Sequence, residues 1–319
     1  MREELISLLR CPVCYKENLI VYITNENHIE IREGYIKCQD CGKSYEINNG
    51  IVNLLINPSS EIINEQKGWT ALEKAVVNTD ELMLSLPDAI GEHKTAWKSQ
   101  AENFHYMFSK LNLNGKEAVL DLGSGRCWAT RFLSRKGCYA VGLDILLTKY
   151  VGLLTSDIYI DRENIYFERV CGNMNALPFR DQIFDLVFIS ATLHHSSNIS
   201  ITLKEVSRVL KPQGQVVIIN EPVAGLVKSV ELDCTEIKMG INEHVYRLWK
   251  YLRELRRAGL QYRIYPYIGG YSRIINLINR GLITIFPKQL FCKKICDLLV
   301  YTQLLFLGGV LNLIAYKPE

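Results

Sequence analysis

The spacing of apolar and polar residues in the middle of the chain predicts alternating strands and helices. Residues 118–122 form a short apolar run, and a glycine turn at residues 123–125 follows it directly. Apolar positions then recur at helical spacing in residues 128–133, and a second apolar run covers Tyr139–Leu143. Because this order of strand, glycine turn, helix and strand opens a doubly wound sheet, the sequence predicts an α/β, Rossmann-like fold.

Similar patterns predict further elements on both sides of this unit. Helices are expected at Glu61–Val77, Glu92–Leu111 and Val245–Ala258, and strands at Gln261–Tyr265 and Val310–Ala315. The most apolar run, residues 298–316, is interrupted by polar residues and by a pair of glycines. We therefore expect the end of a helix followed by a buried strand there, rather than a membrane span.

Two C-x-x-C pairs near the N-terminus predict a metal site. Cys11 and Cys14 form the first pair and Cys38 and Cys41 the second, with 23 residues between the pairs. Residues 18–36 alternate in places, as in a small antiparallel ribbon. Four thiolates on two tight turns suit tetrahedral zinc, and four protein ligands leave no open position, so the zinc is expected to be structural. The alternatives are four free cysteines or a redox pair, and the duplication of the motif disfavours the redox pair.

The composition is ordinary for a globular protein but its charge is unevenly distributed. The chain has 319 residues, 48% of them hydrophobic, and a net charge of +3, which excludes disordered and collagen-like classes. The first residues contain no apolar signal sequence, so we expect a cytoplasmic protein in which the ten cysteines stay reduced. Residues 1–56 contain 6 basic and 8 acidic residues, whereas residues 244–319 contain 12 and 3.

The glycine turn carries the clearest chemical signal. Gly123 and Gly125 allow a ligand to approach the backbone closely, and Asp144, 21 residues after Gly123, can accept both hydroxyls of a ribose. Trp128 occupies the third glycine position of a dinucleotide motif and leaves little room for pyrophosphate. Asp121 suits a cationic group such as the amino group of a methionine moiety. The turn therefore points to S-adenosylmethionine.

Later motifs continue in an order that resembles a known family. They are Gly172–Phe179, Phe184–Ser190, Leu193–His195 and Glu205–Gly214. Together with the glycine turn, they resemble the class I methyltransferase family, specifically its methyltransferase type 11 group, over about residues 92–222. The resemblance implies a doubly wound sheet of seven strands with S-adenosylmethionine as cofactor.

The same resemblance implies which residues hold the cofactor. These are Asp121, Gly123, Ser124 and Gly125 for the methionine part, Asp144 and Ile145 for the ribose and adenine, Asn173 and Met174 for the adenine, and Ser190 beside the sulfonium. The chain departs from the family at Asn173, where many relatives have Asp. It also departs at Cys127, in place of a glycine or small residue, and at Gln213, in place of a glycine. None of these changes removes a required group.

The N-terminal segment resembles a second family. Residues 5–56, with the strings LLRCPVC and YIKCQDCGKSYEINNGIV, resemble zinc ribbons that include the small activator subunit of eukaryotic tRNA, rRNA and release-factor methyltransferases. Similar ribbons are fused in front of bacterial methyltransferases. We expect a zinc ribbon at 1–56, a helical linker or lid at 57–115 and a methyltransferase domain at 116–319, with insertions at about 224–243 and 268–307.

Three residues are candidates for acid–base chemistry. His195 and Glu221 follow predicted strands at the edge where open α/β sheets bind ligands, and His244 opens a predicted helix. Each of them also has a structural interpretation: a packed histidine, a loop contact and an ordinary helix start. The sequence Ser190-Ala-Thr-Leu stands where some relatives have N/D-P-P-Y, which disfavours transfer to adenine N6 or to a glutamine amide.

Three functions remain open from the sequence. The first is methyl transfer to a small-molecule or lipid-like metabolite, which the apolar 268–307 insertion favours. The second is methylation of an rRNA or tRNA base assisted by the zinc ribbon, and the third is a non-catalytic scaffold that binds S-adenosylmethionine. The basic, apolar C-terminal segment suits an anionic acceptor, an RNA or, less well, a membrane surface. The mildly acidic ribbon does not favour RNA.

Overall fold

The computed structural model describes residues 1–227, 234–268 and 289–319, and the strands in these ranges form one mixed sheet. The strands are β1 (Leu19–Glu26), β2 (Ile31–Cys38), β3 (Ser44–Asn48), β4 (Ile51–Asn53), β5 (Ala118–Leu122), β6 (Tyr139–Asp144), β7 (Glu168–Cys171), β8 (Phe184–Ser190), β9 (Leu210–Ala224), β10 (Tyr246–Arg247), β11 (Gln261–Tyr265) and β12 (Gly309–Tyr316). The α-helices are α1 (Ser60–Ala75), α2 (Asp80–Ser85), α3 (His93–Phe108), α4 (Trp128–Arg135), α5 (Ser156–Glu163), α6 (Ile199–Val209), α7 (Cys234–Lys238), α8 (Leu248–Arg257) and α9 (Gln289–Phe306).

The expected count of seven strands is wrong for the sheet as a whole. Within the described residues the sheet has 12 strands in the order β1-β2-β3-β4-β7-β6-β5-β8-β9-β12-β11, with β10 beside β9. The section from β7 to β11 contains seven strands, of which β7, β6, β5, β8 and β9 are parallel. The count differs because β4 pairs in parallel with β7, with Val52 opposite Val170, so the strands of the N-terminal ribbon extend the same sheet.

Apolar residues on both faces explain why the central strands are buried. Along β5, Val119 packs into a core beneath α3 and α4, whereas Leu120 packs into a second core that includes the ribbon and α6. Val187 and Phe188 of β8 divide between the two cores in the same way. A parallel sheet that is covered on both faces requires such continuous apolar strands, as the doubly wound prediction implied.

The helices and strands expected from the flanking patterns are present with small shifts at their ends. Residues 61–77 correspond to α1, which Ser59 caps by accepting a hydrogen bond from the Ile62 amide. Residues 92–111 correspond to α3, and 245–258 correspond to α8, which begins at Leu248. Helix α2, which Thr79 caps, was not expected.

Both predicted insertions lie partly outside the described residues. Residues 228–233 of the 224–243 segment and residues 269–288 of the 268–307 segment fall there. The described remainder contains α7 in the first segment and α9 in the second, and α9 leads into β12 as the apolar run predicted. None of the helices in the described ranges is both long enough and apolar enough to cross a membrane.

A buried ion pair joins the ribbon to the central sheet. Arg169 on β7 has no exposed side-chain surface, and its guanidinium contacts the Glu30 carboxylate of the ribbon. Arg169 also donates hydrogen bonds to the Gly50 carbonyl at 3.2 Å and to Ser156 Oγ at 2.9 Å. Burial has the largest single effect and would raise the pKa of Glu30, but the charges and hydrogen bonds of Arg169 and of the Met1 amino group together outweigh it and lower that pKa to about 2.

Candidate active site

A cavity of about 520 Å³ lies beside the carboxyl ends of β5, β6 and β8. This volume falls in the range of about 300–1,000 Å³ that is usual for small-molecule sites. Residues of the glycine turn after β5 form part of its wall, and residues from the loop after β8 and from helices α1 and α3 form the rest. The open α/β sheet therefore presents its cavity at the edge where such folds bind ligands.

The conformation of the glycine turn depends on a close contact with the loop after β8. Gly123 has φ +72°, and a Cβ atom there would lie 1.9 Å from Thr192 Cγ2. The Gly125 amide donates to Asp144 Oδ2 at 2.8 Å, and the Leu146 amide donates to Asp144 Oδ1 at 2.9 Å. The Asp144 carboxylate thus ties the turn to the end of β6, and burial raises the pKa of Asp144 to about 6.

Most of the residues expected to hold the cofactor line this one cavity. They are Gly123, Ser124, Gly125, Asp144, Ile145, Met174 and Ser190. Asp121 is buried below the turn and accepts a hydrogen bond from Thr130 Oγ1, and burial raises its pKa to about 7. Asn173 caps the Asn175 amide and lines a smaller adjoining cavity that shares Ile145 and Met174 with the first.

The side chains around this cavity match the chemistry of S-adenosylmethionine. Asp144 offers a carboxylate to a diol, and Gly125 is open to the cavity because a Cβ atom there would meet only the Val151 carbonyl oxygen at 3.6 Å. Ile145 and Met174 supply apolar surface for a planar base. One cavity therefore combines a glycine turn, a carboxylate and an apolar surface. These are the three features that bind a nucleoside with a methionine tail.

Glu221 fixes the conformation of the loop after β8 through hydrogen bonds to its backbone. Its fully buried carboxylate accepts hydrogen bonds from the backbone amides of Thr192, Leu193 and His194 at 2.8–3.1 Å, and from His194 Nδ1 at 2.9 Å. Burial would lower the pKa of His194 and raise that of Glu221, but their mutual attraction reverses both directions. Glu221 itself does not line the cavity.

His195 lines the cavity as a neutral ring. Its Nδ1 donates to the Asn242 carbonyl at 2.6 Å, which leaves Nε2 without a hydrogen. Burial, reinforced by the neighbouring His194, lowers the pKa of His195 to about 3. The ring lies edge-on to Trp69, with 5.7 Å between the ring centroids. His195 can therefore accept a hydrogen bond from a ligand at neutral pH.

His244 lies apart from these groups. Its side chain is exposed, and its ring stacks on Tyr246 with 5.8 Å between the centroids. The backbone amide of His244 donates to the His194 carbonyl at 3.1 Å, so the residue supports the loop through its main chain. The structure brings His195 to the cavity, places Glu221 behind it and leaves His244 outside it.

Two acidic residues, Glu65 and Glu243, complete the site. Glu65 on α1 accepts from Trp69 Nε1 at 3.1 Å and from the Asn242 amide at 3.0 Å, and its Oε1 lies 3.3 Å from His195 Nδ1. Burial raises the pKa of Glu65 to about 7. Glu243 lies 3.8 Å from His194 Nε2, and burial raises its pKa to about 8. Neither residue belongs to a motif, and only tertiary packing brings them to the histidines.

The four N-terminal cysteines form a compact cluster. Their sulfur atoms lie within 4.8 Å of one another, with Cys11 Sγ 3.6 Å from Cys41 Sγ and Cys14 Sγ 3.5 Å from Cys38 Sγ. Zinc–sulfur bonds of about 2.3 Å in a tetrahedron give sulfur–sulfur distances of about 3.8 Å. The cluster therefore has the size and donor set of a four-thiolate zinc site.

Comparison with known proteins supports a methyltransferase domain. Residues 120–218, about a third of the chain, match the family described as "Methyltransferase domain". The chain is 30% identical over 168 residues to a glycine/sarcosine/dimethylglycine N-methyltransferase of Actinopolyspora halophila, covering 49% of this chain and 27% of that protein. It is 32% identical over 127 residues to a demethylmenaquinone methyltransferase of Mycobacterium marinum, covering 38% of this chain and 50% of that protein. The chain thus spans half or less of the length of these relatives.

A solved structure shows that the fold is shared more widely. The [4+2]-cyclase SpnF superposes with a TM-score of 0.54 at 18% identity, covering 82% of this chain and 97% of that chain. At this identity the likeness concerns the fold alone. The family match, the sheet order and the glycine turn together support a methyltransferase domain of the class I, S-adenosylmethionine-dependent type that includes residues 120–218.

Proposed function

We propose that this protein transfers a methyl group from S-adenosylmethionine to a small-molecule acceptor bound in the same cavity. The observation that carries the proposal is that one cavity of about 520 Å³ is lined both by the glycine turn with Asp144 and by His195 with Glu65. S-adenosylmethionine supplies a methyl group that is already activated on a sulfonium. The protein then has mainly to align the acceptor atom with the methyl group and to remove a proton from the acceptor.

We assign each cofactor-binding residue a role from its position in or below this cavity. Gly123 and Gly125 let the backbone approach the methionine part, and Asp144 accepts hydrogen bonds from the ribose hydroxyls. Ile145 and Met174 pack against the adenine. Asp121 acts from beneath the turn, since Thr130 holds its carboxylate there. Asn173, through its contact with the Asn175 amide, shapes the loop that carries Met174.

The acid–base candidates divide into one ligand-facing residue and one positioning residue. His195 presents a neutral ring to the cavity and orients the acceptor by accepting a hydrogen bond at Nε2. Glu221 positions that ring indirectly, because it fixes the loop through three backbone amides and His194. His244 is exposed and outside the cavity, so we assign it no direct part in the reaction.

The form and charge of the cavity favour a small molecule over RNA. Trp69 of α1 and Trp97 of α3 line it, and the charged side chains that line it within the described residues are mostly acidic. No Lys or Arg from residues 244–268 or 297–319 lines it, so the side chains described in the basic C-terminal segment do not contribute to it. An RNA substrate would instead require phosphate-binding basic groups next to the site.

We also propose that the cysteine cluster binds one structural zinc ion. The sulfur spacing supports this, and four protein ligands would leave zinc no position for a substrate. We keep the proposed division of the chain into three segments: a ribbon at 1–56, a linker at 57–115 and a methyltransferase domain at 116–319. Strand pairing between β4 and β7 joins the first and the third of these.

The test of the proposed function begins with cofactor binding. Calorimetry with S-adenosylmethionine should show binding to the purified protein. Asp144→Asn should weaken it at least about tenfold, because hydrogen bonds to a carboxylate contribute about 1.5–3 kcal/mol each. Glu81→Gln, which removes an exposed carboxylate outside the cavity, serves as the matched control. Equal affinities for wild type and Asp144→Asn would remove this cofactor placement.

A second step separates the acceptor classes. Methyl transfer from labelled S-adenosylmethionine is measured against a metabolite panel and against total RNA. RNA methylation with binding that weakens steeply between about 50 and 200 mM salt would favour the RNA alternative. Cofactor binding without transfer to any acceptor would favour the scaffold alternative.

A further inference from the structure

The charged lining of the main cavity is predominantly acidic. Within the described residues, its ionic side chains are the carboxylates of Glu65, Asp144 and Glu236, the guanidinium of Arg126, and the ring of His194, which is paired with Glu221. Arg126 is held in place, because its Nε donates to the Tyr150 carbonyl at 2.8 Å and its guanidinium lies 5.8 Å from the Trp97 ring centroid. With Asp144 assigned to the cofactor, the carboxylates of Glu65 and Glu236 face an acceptor and outnumber the Arg126 guanidinium among the described lining residues.

Glu243 adds a further buried acidic group behind this wall, 3.8 Å from His194 Nε2. Its side chain is only 6% exposed, and Oε1 has no hydrogen-bond partner among the described residues. That oxygen lies 3.7 Å from His195 Nδ1, whose hydrogen is given to the Asn242 carbonyl. A buried carboxylate oxygen without a partner is costly unless a positive charge comes close to it.

Three tryptophan side chains, those of Trp69, Trp97 and Trp128, line the same cavity. Trp69 is anchored by the hydrogen bond from its Nε1 to Glu65, and Trp97 meets Trp128 edge to face with 6.1 Å between the centroids. Indole rings attract organic cations through their negative faces, and carboxylates beside such rings strengthen the attraction. Carboxylates with tryptophans form a recognition set for an alkylammonium group, whereas an anionic acceptor would be repelled.

We propose that the acceptor is an alkyl amine that binds as its ammonium form, recognised by Glu65 and Glu236 between Trp69 and Trp97, and that Glu65 takes the proton which the nitrogen must lose. This inference rests on the proposed function and specifies its acceptor. It replaces the anionic acceptor that the basic C-terminal segment suggested.

The reaction balances with Glu65 as the proton acceptor. The ammonium gives one proton to the Glu65 carboxylate; the nitrogen lone pair then forms the new C–N bond while the C–S bond of the bound cofactor breaks and its electron pair remains on sulfur. The product leaves as the N-methylated ammonium, and the Glu65 proton passes to solvent. No oxidant or further reactant is needed.

The protonation behaviour of the cluster supports this role for Glu65. Its pKa of about 7 results first from burial and is raised further by Asp144, against hydrogen bonds from Asn242 and Trp69 and the charge of His194. A base works best when its pKa lies near the operating pH. His195, with a pKa of about 3, holds a proton too weakly for this task.

The same pKa values predict proton release on binding. At pH 7 the free protein carries part of a proton on Glu65 and most of one on Glu243, which lies against Glu236, His194 and His195. A bound cation favours the ionised carboxylates, so their pKa values fall and protons leave. A neutral or anionic ligand would not cause this release.

The experiment uses three ligands of similar shape and different charge. Benzylamine, benzyl alcohol and benzoate are titrated by calorimetry at pH 7 into the full chain saturated with S-adenosylhomocysteine, in phosphate and in Tris. We expect benzylamine to bind at least about tenfold more tightly than the other two, and to release protons, so that its heat differs between the buffers. Equal binding of the three ligands, or tighter binding of benzoate, would overturn the proposal.

Variants test the two carboxylates separately. Glu65→Gln and Glu236→Gln should each weaken benzylamine several-fold and leave benzyl alcohol unchanged, whereas Glu81→Gln should change neither. Glu65→Gln should also reduce proton release, and Glu65→Asp should restore part of it. Unchanged benzylamine binding and proton release in both Gln variants would refute the assigned residues, and Glu236→Gln keeps this test valid if Glu65→Gln folds poorly.

Turnover supplies an independent readout. With an amine acceptor, kcat should rise with pH and level off above about 7, and Glu65→Gln should lower kcat more than it raises KM. Failure of S-adenosylhomocysteine to bind would remove the proposed function itself. Binding of S-adenosylhomocysteine together with failure of benzylamine would remove only the amine proposal.

Discussion

The replacement Glu221→Gln tests whether Glu221 holds the loop or takes part in the chemistry. In the structure each carboxylate oxygen accepts two hydrogen bonds: Oε1 from the Thr192 and Leu193 amides, and Oε2 from the His194 amide and from His194 Nδ1. A glutamine keeps the shape of the side chain, but its NH₂ group cannot accept. Two of the four donors therefore lose their acceptor in a fully buried position.

The expected cost follows from that count. Hydrogen bonds to a charged group contribute about 1.5–3 kcal/mol each, so losing two lowers the free energy of unfolding by about 3–6 kcal/mol. This agrees with the cost of about 3–5 kcal/mol for breaking a buried ion pair by removing one partner. Against a total stability of about 5–15 kcal/mol, such a loss is large.

The pH dependence of the loss can be derived from the two pKa directions. The pKa of Glu221 is lowered, so its contribution is present above its unfolded value of about 4.5 and is lost as the pH falls through the folded value. The pKa of His194 is raised, so its contribution is present below about 6.5 and is lost as the pH rises through the folded value. The difference between wild type and Glu221→Gln should therefore be greatest between about pH 4.5 and 6.5.

Urea denaturation followed by circular dichroism measures this difference, with Glu81→Gln as the control that should unfold like wild type. Calorimetry with S-adenosylmethionine follows on the same samples. If Glu221→Gln loses less than about 1 kcal/mol of stability and binds cofactor normally, yet turns over far more slowly, Glu221 acts in the reaction and the positioning role is wrong.

Three further predictions concern the turn, the metal and the buried ion pair. Gly123→Ala should weaken S-adenosylmethionine binding and lower the unfolding free energy well beyond Gly91→Ala, because both glycines have positive φ but only Gly123 would clash, with Thr192; similar losses in the two variants would contradict this. Cys38→Ser should abolish one zinc equivalent per chain by elemental analysis, whereas Cys138→Ala should retain it, and full zinc content in Cys38→Ser would exclude the cluster as the site. Because the pKa of Glu30 is lowered to about 2, its contribution to stability should be present above about pH 4.5 and should disappear as the pH falls towards 2. Acid denaturation of Glu30→Gln should therefore lack this loss of stability. An unchanged acid transition in Glu30→Gln would disprove the stabilising role of the Glu30 carboxylate.

The parts of the fold that depend on local pattern were predictable from sequence. Apolar runs bounded by turn residues located β5, β6, β11 and β12 within one or two residues, and spacing located α1 and α3. The C-x-x-C pairs and the glycine turn identified their own clusters, because each depends on residues that are close in sequence. Helix α2 was missed because six residues are too few for helical spacing to be evident.

The remaining features depend on contacts between distant segments. The sequence offers no signal that β4 pairs with β7, since either strand could pair with many others. Glu65 reaches His195 from 130 positions earlier in the chain, and its neighbours in sequence give an ordinary surface helix. The basic C-terminal segment favours an anionic acceptor whereas the cavity lining favours a cationic one, because net charge along a sequence does not indicate which side chains line a cavity.

The pairing of β4 with β7 has a consequence for self-association. A strand at the end of a sheet presents unpaired amides and carbonyls that can recruit another chain. In this protein β7 is fully buried along its four residues, and β4 and the rest of the ribbon continue the ladder beyond it. A shortened chain that begins at residue 57 would leave β7 with an open side of unpaired backbone groups next to the Arg169 charge. The ribbon therefore covers a strand edge that could otherwise pair with another chain, in addition to any part it takes in binding metal.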